Sequence, residues 1–75
     1  MKEQQHFRVK VYGRTELAQL YSPTLAPNAA WRRLAEWIEH YPGLTERLAA
    51  SGYQSGSRSW TPAQVAMIVD ALDEP

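Results

Sequence analysis

From Pro27 to Tyr41 the apolar residues Ala30, Leu34, Trp37, Ile38 and Tyr41 fall at offsets 0, 4, 7, 8 and 11, the spacing of one face of an α-helix. Arg32, Arg33, Glu36, Glu39 and His40 fall away from that stripe, and Pro27 suits a first helical position. Such a face must be buried against other elements, and the chain has 75 residues in which to supply them. It has no cysteine, so neither disulfides nor thiolate metal sites assist, and the fold rests on its core alone. Three Trp, four Tyr and one Phe provide the area, since each buries about 150–250 Å². Trp37 in the stripe and Trp60 are expected in that core, with Trp31 half-exposed at the stripe's margin.

The other elements can be placed by their punctuation. Phe7 to Tyr12 alternates, with Phe7, Val9 and Val11 on one side and Arg8 and Lys10 on the other, which predicts a half-buried strand ended by Gly13. Thr15 is the expected cap of a short helix, Glu16 to Tyr21, with Leu17, Leu20 and Tyr21 inward; Ser22-Pro23 ends it. After Pro42-Gly43 a second short helix is expected from Leu44 to Ser51, buried through Leu44 and Leu48 and closed by Gly52 and Tyr53. Gln54 to Ser59 is a polar loop. Thr61-Pro62-Ala63-Gln64 then matches a capping box, with Trp60 placed to staple onto Val65, and Val65, Ile68, Val69 and Leu72 form the last buried face. The expected fold is mainly α: a compact, helix-turn-helix-like bundle of about four short helices with a small N-terminal β-strand. Residues 1–6 read as an N-terminal tail and 7–75 as a single helical domain.

A composition of 44% hydrophobic and 21% charged residues, with mean hydropathy −0.50, describes a globular chain. No apolar run approaches the ~20 residues of a membrane-spanning helix, and Met1 to Gln5 lacks the apolar stretch of a signal peptide, which together predict a cytoplasmic address. Catalysis has little to draw on. The histidines are His6 and His40, and Glu36 with His40 offers two metal ligands where a site needs more. No phosphate loop, nucleophile triad or carboxylate pair is recognisable. No enzyme activity, cofactor, metal or small-molecule ligand is expected.

Charge is balanced in total and divided in sequence. Eight Lys+Arg face eight Asp+Glu, which excludes a histone-like coat for polyanions. Yet residues 1–33 hold Lys2, Arg8, Lys10, Arg14, Arg32 and Arg33 against Glu3 and Glu16 alone. Residues 34–75 hold Arg47 and Arg58 against Glu36, Glu39, Glu46, Asp70, Asp73 and Glu74. A short helix, a turn and a helix with basic exposed positions outline a helix-turn-helix, whose second helix enters the major groove by its N-terminal residues. Asn28, Arg32 and Arg33 are the candidates to meet base edges; Arg8, Lys10, Arg14 and Arg58 are the candidates to hold phosphate. DNA is the expected partner. The alternative is an interaction module that pairs with itself or with another protein, through the edge of the Phe7–Tyr12 strand, with no nucleic-acid binding.

The series Glu16 to Pro23, Ala30 with Leu34 and Trp37-Ile38, Gly52-Tyr53, Trp60 to Val65, and Ile68 to Pro75 resembles a family of small Bacteroidetes proteins catalogued as a domain of unknown function. The likeness runs from Phe7 to Pro75 and implies no particular activity. More distantly, Glu16-Leu17-Ala18 before a basic helix, then Gly52-Tyr53 and Arg58 to Val65, resembles the MerR-like and excisionase-like winged-helix domains. That resemblance implies a DNA-binding regulator or an accessory factor. It also implies a wing at Tyr53 to Trp60 that carries Arg58 and pairs with the strand Phe7–Tyr12. The helix at Leu44–Ser51, the proline-rich connector and the zero net charge depart from the pattern of those domains.

Overall fold

The computed structural model describes residues 7–54 and 56–75; the expected tail 1–6, with Lys2, Glu3 and His6, and Ser55 of the polar loop lie outside them. Four helices and one strand pair follow in the order β1 (Tyr12–Gly13), α1 (Arg14–Tyr21), α2 (Pro27–His40), α3 (Leu44–Ala50), β2 (Ser59–Trp60) and α4 (Pro62–Leu72). The mainly helical expectation therefore holds, and β1 pairs with the segment foreseen for it. The two strands are antiparallel, Tyr12 opposite Trp60 and Gly13 opposite Ser59.

The extent and parity of the first strand differ from expectation. Ladder pairing covers only Tyr12 and Gly13, and Val9 and Val11 are exposed rather than inward. Successive strand residues point to opposite faces, so only one parity can face the core. Here Tyr12 takes the inward place opposite the buried Trp60, which sends Val11 to the outer face. Phe7 rejoins the core by stacking on Tyr12, with ring centres 5.3 Å apart, and the Tyr12 hydroxyl donates to the Arg8 carbonyl at 2.8 Å.

Local chemistry sets the helix ends. α1 starts earlier than expected, capped at Gly13 rather than Thr15, because the Glu16 carboxylate reaches back to accept the Gly13 N–H at 2.9 Å. Its buried residues are Leu17 and Ala18; Leu20, expected inward, is exposed. α2 begins at Pro27 as expected and buries Ala30, Leu34 and Ile38, a narrower stripe than the sequence suggests, which leaves Trp37 and Tyr41 partly in water at 38% and 40% exposure. α3 ends at Ala50, one residue early, and the turn beyond it uses Gly52 at φ 102°, with the Tyr53 N–H donating to the Leu48 carbonyl at 3.0 Å. The capping box of α4 is reciprocal: the Gln64 N–H donates to Thr61 Oγ1 at 3.2 Å, and the Thr61 N–H donates to Gln64 Oε1 at 3.0 Å. The same Gln64 donates from Nε2 to Ser51 Oγ, joining the start of α4 to the end of α3.

The core gathers Leu17, Leu34, Leu44, Leu48, Trp60, Val65 and Ile68, each nearly or wholly excluded from water. On its flank the Tyr21 hydroxyl donates to the Asp73 carbonyl at 2.5 Å, and the Tyr21 ring meets Trp37 edge-on. Burial first, and then the nearby Asp73 and Glu74 charges, push the Tyr21 phenol up from 10.0 to about 12. A folded state that keeps this proton longer than the unfolded chain is favoured fully below pH 10, and loses that advantage as pH rises from 10 through about 12. Solvent around the half-buried ring reduces the size of the effect. We expect Tyr21→Phe to flatten the decline of urea midpoints across that window relative to the parent. Parallel declines would show that the phenol is not the titrating group responsible.

Candidate nucleic-acid interface

Every predicted base- and phosphate-contacting residue lies among the described residues, and all but Arg14, which is half-buried, are exposed. The strand pair brings two of them together. Arg14 and Arg58 flank it, the Arg14 N–H donates to the Arg58 carbonyl at 2.8 Å, and both side chains, with Gly13 and the Thr15 side chain, line an open depression of about 350 Å³. Arg14 also connects this edge to α2: its guanidinium carbon lies 4.9 Å from the centre of the Trp31 ring. Arg8 and Lys10 belong to the arm leading into β1, where the Lys10 ammonium lies 4.6 Å from the Tyr12 ring centre.

Arg32 and Arg33 do not act as a unit. Neighbours on a helix point about a hundred degrees apart, so Arg32 shares the outward face of α2 with Asn28, while Arg33 turns to one shoulder. There its guanidinium sits over Trp37 at 5.7 Å. Trp31, which carries Arg14, lies toward the opposite shoulder. Arg14 and Arg58 therefore converge, Asn28 and Arg32 share the solvent face between the shoulders, and Arg33 is drawn aside. Residues 22–26 connect α1 to α2, a longer span than the three or four residues usual in a helix-turn-helix. Its bends are held by the Leu25 N–H on the Ser22 carbonyl and by Gln19 Nε2 on the Leu25 carbonyl.

The divided charge of the sequence is not cancelled by contacts within the fold. Among the described residues the only ion pair within 4.0 Å joins Arg47 to Asp70, at 3.9 Å and both well exposed. Among the described residues, Arg8, Lys10, Arg14, Arg32, Arg33 and Arg58 have no carboxylate at that range. His40 is engaged locally, its Nδ1 2.8 Å from the Glu36 carbonyl. No cluster of three or more metal-ligating side chains occurs among the described residues, and no helix among them is long and apolar enough to cross a membrane.

Sequence reasoning missed a neighbouring feature. A cavity of about 230 Å³ opens along the Trp31 shoulder of α2, lined by Trp31, Tyr53, Trp60, Glu39 and Thr45 among others. Tyr53 stacks on Trp60 with ring centres 4.5 Å apart, and Trp31 leans toward Trp60 at 6.2 Å. Burial pushes the Tyr53 phenol above its ordinary value, and the nearby Arg14 charge pulls against that. The Trp60 indole N–H is buried and finds no hydrogen-bond partner among the described residues. Nothing local in the sequence marks this cavity, because its rings come from α2, from the segment after α3 and from β2.

The fold defines a small, mainly helical domain of four helices closed by a two-residue strand pair. A family model described as "Domain of unknown function (DUF4248)" matches residues 8–75, and the chain belongs to that family, in agreement with the resemblance noted above. No curated protein and no solved structure matches the chain.

Proposed function

We propose that the domain binds DNA in the manner of a helix-turn-helix protein, as a regulator or an excisionase-like accessory factor. α2 is presented to the major groove, and the Arg14–Arg58 edge lies against phosphate. The observation that supports this reading is the set of six cations without a carboxylate partner among the described residues, in a chain whose total charge is zero. Unpaired arginines facing water are ready to exchange counterions for phosphates. Asn28 and Arg32, on one exposed face near the start of α2, are the residue types that recognise adenine and guanine edges.

The test is fluorescence anisotropy on a labelled duplex with the Arg32→Ala/Arg33→Ala double variant. Both side chains are exposed, so the melting temperature should move little, surface changes costing within about 0.5 kcal/mol. Binding should fall by tenfold or more. Undiminished affinity in a folded double variant would remove α2 from the interface.

The exposure of Val9 and Val11, at 52% and 57%, on an arm that is almost wholly unpaired favours a second reading as a self-pairing or protein-docking module. Light scattering at micromolar concentration separates the two. A dimer that Val9→Pro dissociates supports docking, and a monomer in both proteins leaves this arm without that role.

A further inference from the structure

The basic edge and the aromatic cavity are joined by one side chain. Arg14 shares the depression between the strands with Arg58 and Thr15, and the same guanidinium lies over Trp31, which lines the cavity. We propose that this pair of recesses binds single-stranded DNA, with a backbone phosphate at Arg14 and Arg58 and the attached base unstacked into the cavity beside Trp31 and Tyr53. The inference rests on the DNA-binding reading for its phosphate contacts, and adds a single strand as a second ligand beside the duplex, with the place of one base.

Three observations fit that occupant. Cationic tracks beside open aromatic surface are the recurring means of holding single strands, since every base has a face to stack and every linkage a charge to neutralise. Trp31 and Tyr53 are half-buried, so each keeps ring surface for a base, while Trp60 is sealed at 1% exposure and gives the cavity a fixed wall. The charges also set a polarity. Trp31 and Glu39 are two turns apart on α2, so a phosphate is drawn to the arginine end and repelled from the carboxylate end. A base within a duplex is paired and stacked, and would have to be pulled free before it could enter; a single strand presents it at lower cost. Arg8 and Lys10 are exposed on the arm that runs into the strand pair, further cations that a chain has the length to meet and a free nucleotide does not.

The experiment titrates the intact protein with a labelled oligothymidylate, with an abasic oligomer of equal charge, with a duplex and with thymidine monophosphate, following anisotropy and tryptophan emission. Oligothymidylate should quench tryptophan emission and bind about 5- to 150-fold more tightly than the abasic oligomer, the range for one base on one aromatic side chain. Trp31→Ala should lose a similar factor for oligothymidylate, and Trp31→Phe, which keeps a stacking ring, should recover most of it. The abasic arm needs no substitution, so it decides the matter even where Trp31→Ala is poorly folded. Equal affinity for the abasic and thymine-bearing oligomers, with duplex binding intact, overturns the base site and leaves the DNA-binding reading standing. Binding of neither strand form at low salt overturns both. Thymidine monophosphate binding as tightly as the oligomer overturns the polymeric ligand.

Discussion

Replacing Trp60 with alanine should remove a large share of this protein's stability and lower its melting temperature by roughly 12–40 °C. Trp60 is 1% exposed, pairs across the strands with Tyr12, stacks on Tyr53 and leans against Trp31. Removing a buried tryptophan to alanine costs about 3–5 kcal/mol, through lost transfer energy and the cavity left behind. A domain of this size has roughly 4–11 kcal/mol in total, at about 0.05–0.15 kcal/mol per residue. Each kcal/mol moves the midpoint by about 4–8 °C in small domains, so the loss is expected at tens of degrees in a circular dichroism melt. Trp60→Phe should be much milder, since it keeps a ring and removes an indole N–H that is buried without a partner. A drop of only a few degrees in Trp60→Ala would mean that the core is not organised around this ring.

The second large effect is expected in binding. If Arg8, Lys10, Arg14 and Arg58 meet phosphate together, each contact releases about 0.9 counterion on duplex DNA. Four contacts then give a loss of affinity on the order of a hundredfold between about 50 and 200 mM salt. The Arg14→Ala/Arg58→Ala pair should reduce the slope of log affinity against log salt by about two, and leave the sequence preference unchanged, because phosphate contacts position without specifying. A slope near zero in the parent protein would end the DNA-binding reading outright. A slope that the double substitution does not change would take the strand edge out of the interface.

Features that depend on nearest neighbours were legible in the sequence. Thr61 and Gln64 specify a reciprocal cap whatever surrounds them, Pro27 starts α2, and Gly52 supplies the left-handed residue that closes α3. Features that depend on competition were not. The alternation of Phe7, Val9 and Val11 implies one strand parity and Tyr12 the other, and only the opposing Trp60 decides between them. Trp37 and Trp31 sit on opposite margins of the same helical stripe. Which one faces the core depends on where α3 and β2 pack, and the structure turns Trp31 toward Trp60 and Trp37 toward Tyr21. The approach of Arg14 to Trp31 depends on the crossing of α1 over α2, which no spacing within either helix encodes.

Two ties, Tyr12 beside Trp60 and the Tyr21 hydroxyl on the Asp73 carbonyl, join the early part of the chain to the residues just before and just after its last helix. During synthesis neither can form until those late residues have left the ribosome. The α1–α2 hairpin therefore emerges before the ties that close it, and the full burial of Leu17 and Leu34 in one core with Trp60, Val65 and Ile68 is completed only by the end of the chain.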